Sequence, residues 1–129
     1  MNYPMGTDTA ANRFYLTLAI YSQRNEFDAI SGRLGVEPTD CSERNGIYTW
    51  RFSTLDACAD DDVSAHAALL LRTFSETSDA LVALARAGFE FRLWVFASGE
   101  DSNYSFVLPD ALVAWLASFG ADICVDAWS

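Results

Sequence analysis

The stretch from Arg13 to Ser22, RFYLTLAIYS, constrains this chain more than any other. Phe14, Leu16, Leu18 and Ile20 alternate with Tyr15, Thr17, Ala19 and Tyr21, the period of two that sends successive side chains to opposite faces of a strand. Both sets are largely apolar, so the spacing predicts a central strand. Asn25 then stands where an N-cap belongs, with Glu26 and Asp28 in a first turn, Phe27, Ile30 and Leu34 on one stripe, and Gly35 at the stop. That pattern predicts a short helix. Pro38 and the polar residues Thr39 to Asn45 read as a loop, after which Gly46 opens a second strand through Phe52, with Tyr48, Trp50 and Phe52 on one side.

Asp60, Asp61 and Asp62 precede a helical region from Val63 to Ala87, where Val63, Ala67, Leu70, Phe74, Leu81 and Ala85 recur near helical spacing. Ser75, Thr77 and Ser78 interrupt it, which predicts two helices or a kink. Phe89 to Ser98 reads as a strand, the turn-rich Gly99 to Asn103 follows, and Tyr104 to Leu108 reads as its hairpin partner. Pro109 suits a first helical position, Leu112, Leu116 and Phe119 form a stripe, Gly120 stops the helix, and Asp122 to Trp128 supplies a last strand. Short helices among strands predict an α+β fold: a two-layer sandwich, ferredoxin-like in style, with a mixed or antiparallel sheet of about five strands and helices on one face. Residues 1–12 read as a disordered leader and 13–129 as a single domain, long enough to bury one core. The expected core is Leu16, Leu18, Ile30, Leu34, Trp50, Leu70, Phe74, Leu81, Leu93, Val95, Leu112, Leu116 and Ile123.

The run FDAISGRLGVEP at 27–38, the spaced pair Trp50 and Phe52, and LASFGADICVD at 116–126 together resemble the bacterial domain-of-unknown-function family 4279, over roughly residues 14–128. The family's ending carries an aromatic after the Asp, and Ala127 and Trp128 shift it here by one residue. The resemblance implies a small single-domain bacterial protein. It carries no activity to transfer, and it is compatible with an immunity-type role in a toxin neighbourhood.

Eighteen acidic residues against eight basic ones give a formal charge of −10, a field that repels phosphate backbones and anionic headgroups. Nucleic acid and membrane are therefore not expected partners. Every basic residue is Arg, so Schiff-base chemistry and a phosphate-loop lysine are excluded; the absence of Lys reads as genome composition, as in a GC-rich bacterium. Cys41, Cys58 and Cys124 are widely spaced without a C-x-x-C, which fits reduced thiols and a cytoplasmic location. No secretory leader is legible at the start, and no apolar run approaches the roughly 18 residues of a membrane span.

Catalytic candidates are few. His66, the one histidine, lies eight residues after Cys58, too close across a loop for a known nucleophile pair, and reads as a surface or capping residue. One His without clustered Cys gives a poor zinc set, and the triple Asp before a helix reads as capping rather than a cation loop. Glu100 and Asp101 read as solvated turn carboxylates, and no glycine-rich phosphate loop is present. No catalytic residue, metal or cofactor is assigned, and the reading leans away from an enzyme.

Alternation leaves a second face once the helices have taken one. Tyr15, Tyr21, Arg51, Arg92, Trp94, Phe96 and Asp126 fall together there, an aromatic and Arg-rich composition that belongs to binding interfaces. Terminal segments or a second protomer covering the face would account for it equally, as would a register shift of one residue. The functional expectation is a non-enzymatic binding protein that recognises a protein partner, as an immunity-type inhibitor or as a homodimer. The alternative is a small-molecule-binding or enzymatic domain with its pocket between sheet and helices, near Trp50, Arg92 and Asp126.

Overall fold

In the computed structural model, which describes residues 12–99 and 105–128, the alternating stretch forms β1 (Asn12–Ser22) at the centre of a five-stranded sheet. Leu16, Leu18 and Ile20 are fully buried on one face, as a strand flanked on both edges and covered on one side requires. The chain continues through α1 (Phe27–Leu34), β2 (Asp40–Arg44), β3 (Ile47–Ser53), α2 (Val63–Thr73), α3 (Ser78–Arg86), β4 (Glu90–Gly99), α4 (Asp110–Ser118) and β5 (Asp122–Trp128). The sheet order is β2-β3-β1-β4-β5. Its first four strands are all antiparallel to their neighbours and follow the split βαβ order of ferredoxin-like sandwiches, while α4 and β5 add a parallel strand at the β4 edge. The expected two-layer α+β class is the observed one.

The core lies between the sheet and the helices. Trp50 is fully buried and its indole Nε1 donates to Ser31 Oγ of α1 at 3.0 Å, while Phe52 meets Phe74, at the end of α2, edge to face. Leu112, Leu116 and Phe119 close the far end against Phe91. Two helix ends follow the sequence signals: Gly35 takes the left-handed conformation at φ 65°, and Asp62 caps α2 by accepting from the Ser64 amide. The N-cap of α1 is Glu26 and not Asn25, which stands one residue outside it with its Oδ1 accepting from the Phe27 amide. Thr54 and His66 fasten the loop after β3, as described below.

Three expectations are corrected. Thr39 to Asn45 is not a loop throughout, because Asp40–Arg44 forms β2, an edge strand whose polarity suits a position with one unpaired side. Asn45 at φ 54° and Gly46 at φ 83° make the tight turn that joins it to β3, a conformation Asn-Gly adopts readily. Second, Ser105 to Leu108 is not a strand, since the edge of β4 that it was to occupy is taken by β5 in parallel register, Leu93 opposite Ile123. Phe106 instead packs on Phe14, with ring centres 5.4 Å apart. Third, Ile123 is 42% exposed rather than in the core, because it lies on the outermost strand. Of the expected leader, Asn12 belongs to β1 and residues 1–11 lie outside the described residues, as does most of the turn 99–103. Among the described residues no helix is long and apolar enough to cross a membrane.

Candidate binding site on the open sheet face

Strand register turns the face that none of the described helices covers into rows. One row crosses all five strands: Asp40, Arg51, Ala19, Arg92 and Asp122. Each arginine pairs with the aspartate opposite it on the outer strand, Arg51 with Asp40 at 2.8 Å and Arg92 with Asp122 at 3.4 Å. Arg51 also donates to Ser42 Oγ. The pairing carboxylates are thus Asp40 and Asp122, and neither arginine pairs with Asp126, the one acidic residue that alternation picked out on this face. Both arginines are neutralised within the chain.

The next row is Ser53, Thr17, Trp94 and Cys124, and the one beyond is Tyr15, Phe96 and Asp126. Their small and large members are complementary. The Trp94 indole crosses the arginine row to donate its N–H to the Tyr21 hydroxyl at 2.9 Å, which buries Ala19 completely beneath it. Arg92 lies over that indole with its guanidinium carbon 5.5 Å from the ring centre, a cation–π contact. Phe96 stacks nearly parallel both to Trp94 and to its cross-strand neighbour Tyr15, at 6.0 and 4.7 Å between centres.

These residues floor a groove of about 690 Å³ that opens to solvent. Tyr15, Tyr21, Arg51, Trp94, Phe96 and Asp126 all line it, so six of the seven residues picked out by alternation meet in one concavity. Arg92 stands beside it, held by Trp94 and Asp122. One wall is the segment after β3, where Leu55, Asp56 and Ala57 stand over the Tyr15 row, and Thr39 and Asp40 close the β2 side. Sequence reasoning missed this wall. The signal that would have found Asp40 and Asp122 is their position opposite an Arg, which needs the register and not only the alternation.

The wall is fixed from below by His66, which is buried on α2 and not a surface residue. Its Nδ1 meets Thr54 Oγ1 at 2.6 Å and its Nε2 meets the Asp60 carbonyl. A carbonyl only accepts, so Nε2 carries the proton and Nδ1 accepts from the Thr54 hydroxyl. Both ring nitrogens are engaged, which leaves neither to activate Cys58. Cys41, Cys58 and Cys124 are free thiols, and loss of hydration followed by the Asp40 charge raises the Cys41 thiol above its ordinary pKa, the wrong direction for a nucleophile. Among the described residues no group of three or more His, Cys, Asp or Glu is placed to hold a metal.

Trp50, Arg92 and Asp126 do not share a pocket. Trp50 is fully buried against α1, on the opposite side of the sheet from the other two. Burial first, and then the nearby Asp126 carboxylate, push the Tyr15 phenol above its ordinary pKa. Asp126 itself makes no ion pair or hydrogen bond with the described residues.

No curated protein and no solved structure matches this chain. The strands, helices and groove described above all lie within residues 12–129, the span matched by the family described as "Domain of unknown function (DUF4279)", and the chain belongs to that family.

Proposed function

We propose that this protein is a non-enzymatic binding protein whose open sheet face receives a basic protein partner, in the manner of an immunity-type inhibitor. The observation that carries the reading is the charge arrangement around the groove. Its aromatic floor offers apolar area that solubility alone would not place there, and its two arginines are matched by Asp40 and Asp122, so Asp56 and Asp126 leave the rim net negative. On a chain of charge −10 such a rim draws a basic surface and disfavours a second copy, since two like fields would meet across one interface. The free thiols and the all-Arg basic set support a reduced bacterial cytoplasm as the setting.

The test is Trp94→Glu. Trp94 is half-buried and its hydrogen bond and ring contacts are with Tyr21, Phe96 and Arg92 of the same face, so the variant should keep its circular dichroism while losing the partner. Affinity capture from the native host, at low and high salt, should retain a basic protein on the wild type alone, released as salt rises. Equal retention by Trp94→Glu removes this face from the interaction. A wild type that sediments as a dimer while Trp94→Glu sediments as a monomer replaces the basic partner with a second copy.

A further inference from the structure

We infer that the row Tyr15, Phe96 and Asp126 seats a single guanidinium, that of an arginine side chain on the partner. This rests on the reading of the open face as a protein interface and names the group that anchors it. The three residues are direct neighbours on three adjacent strands, with Tyr15 opposite Phe96 and Phe96 opposite Asp126. Two stacked rings therefore stand beside a carboxylate, in a groove with room for a long side chain.

Among the described residues no cation reaches the Asp126 carboxylate of this row. Arg51 is held by Asp40, Arg92 by Asp122, and Arg13 by Asp61, while Asp126 has no hydrogen bond or ion pair with the described residues. Two rows away the chain brings a guanidinium to a ring and a carboxylate internally: Arg92 lies over the Trp94 ring and reaches a β5 carboxylate, Asp122. Asp126 is on the same strand as Asp122, four residues on, and Phe96 stands opposite it where Arg92 stands opposite Asp122, so here a ring and not a guanidinium faces the carboxylate. Asp56 on the facing wall adds a second carboxylate to the groove.

Arginine fits better than lysine. A planar guanidinium stacks on a ring and still donates two parallel N–H bonds to one carboxylate, whereas an ammonium is a compact, strongly hydrated point charge. Carboxylates at both ends of the groove also exclude an anionic side chain there.

The seat is tested on the full chain by titrating three probes, acetyl-Gly-Arg-Gly-amide, its lysine analogue and its neutral citrulline analogue, and following ring and indole resonances by NMR. Saturable shifts should appear at Tyr15 and Phe96 with the arginine probe, weaker with lysine and weakest with citrulline. Asp126→Asn should weaken the arginine probe roughly tenfold, and Asp126→Glu should restore part of the loss. Asp126 is exposed, so its variants should keep the wild-type fold, checked by circular dichroism. Citrulline binding as well as arginine, Asp126→Asn binding like the wild type, or no saturation up to ~100 mM overturns the seat. Failure of the seat is separable from failure of the interface: if Trp94→Glu loses the partner while Asp126→Asn keeps it at full affinity, the face stands and the arginine anchor falls.

Discussion

Thr54 should matter more to stability than the histidine it holds, and the hydrogen-bond inventory says by how much. Its hydroxyl accepts from the buried Leu16 amide at 3.0 Å and donates to His66 Nδ1 at 2.6 Å. Thr54→Val keeps the shape and removes both bonds, leaving a buried N–H and a buried imidazole lone pair without partners, at a cost of about 2–4 kcal/mol. His66→Leu keeps apolar volume on α2 and removes only the histidine's two bonds. The Thr54 hydroxyl can then turn to the Leu16 carbonyl 3.2 Å away, and the Asp60 carbonyl, in a part-buried position, can take water, so the cost falls to about 1–2 kcal/mol. Urea unfolding of both variants with unchanged slopes should rank Thr54→Val as the more damaging by about 1 kcal/mol or more. The double variant should cost less than the sum, because the orphaned lone pair disappears with the ring. His66→Leu as damaging as Thr54→Val would refute the donor assignment, and with it the account of what holds the Leu55–Ala57 wall.

Leu116→Ala, in the core between α4 and the sheet, should cost about 2–5 kcal/mol by denaturation midpoint, whereas Ile123→Ala on the exposed edge should cost well under half of that. Gly46→Val should destabilise by about 1–2 kcal/mol, since φ 83° is a conformation a β-branched residue adopts only under strain, and calorimetry of the variant checks it. The Tyr15 phenol is raised in the folded state, so the stability it contributes is present below its unfolded pKa of about 10 and is lost as pH rises through the folded value. Thermal melts above neutral pH should therefore show a steeper alkaline decline for the wild type than for Tyr15→Phe. Asp126→Asn should bring the Tyr15 titration, followed by ultraviolet difference against Tyr15→Phe, closer to the ordinary value.

What the sequence disclosed tracks what periodicity can encode. The central position of β1, the stripe of α1, the break between α2 and α3, and all but one of the expected core residues follow from spacing alone, because burial on one face repeats with the element's own period. Edge positions obey weaker rules. Asp40–Arg44 has no apolar stripe because an outer strand need not bury one, and its signal was the Asn45-Gly46 pair, which turn chemistry marks more strongly than composition does. The segment 105–108 has the composition of a strand, yet strand pairing is a competition for one edge. The crossover through α4 delivers β5 to the edge of β4 in parallel register. His66 was misread for a similar reason: a lone polar residue at a helical core position is legible only when its partners, Thr54 and the Asp60 carbonyl, are known.

Membership of the open face was legible, but its electrostatics were not. Alternation sorts residues between two faces and says nothing about which residue of the next strand stands opposite, so it could place Arg51, Arg92 and Asp126 together without pairing them. The register assigns both arginines to other aspartates, and that changes what the face can bind. Paired to Asp126, an arginine would have left that carboxylate no place for a cation from outside. With Asp40 and Asp122 as its partners, the arginine row is self-contained, and the aromatic band beside it ends on a carboxylate that no cation among the described residues satisfies. The face is thus aromatic in area and negative in charge, and these two properties together select a partner that brings its own cation on an apolar stem.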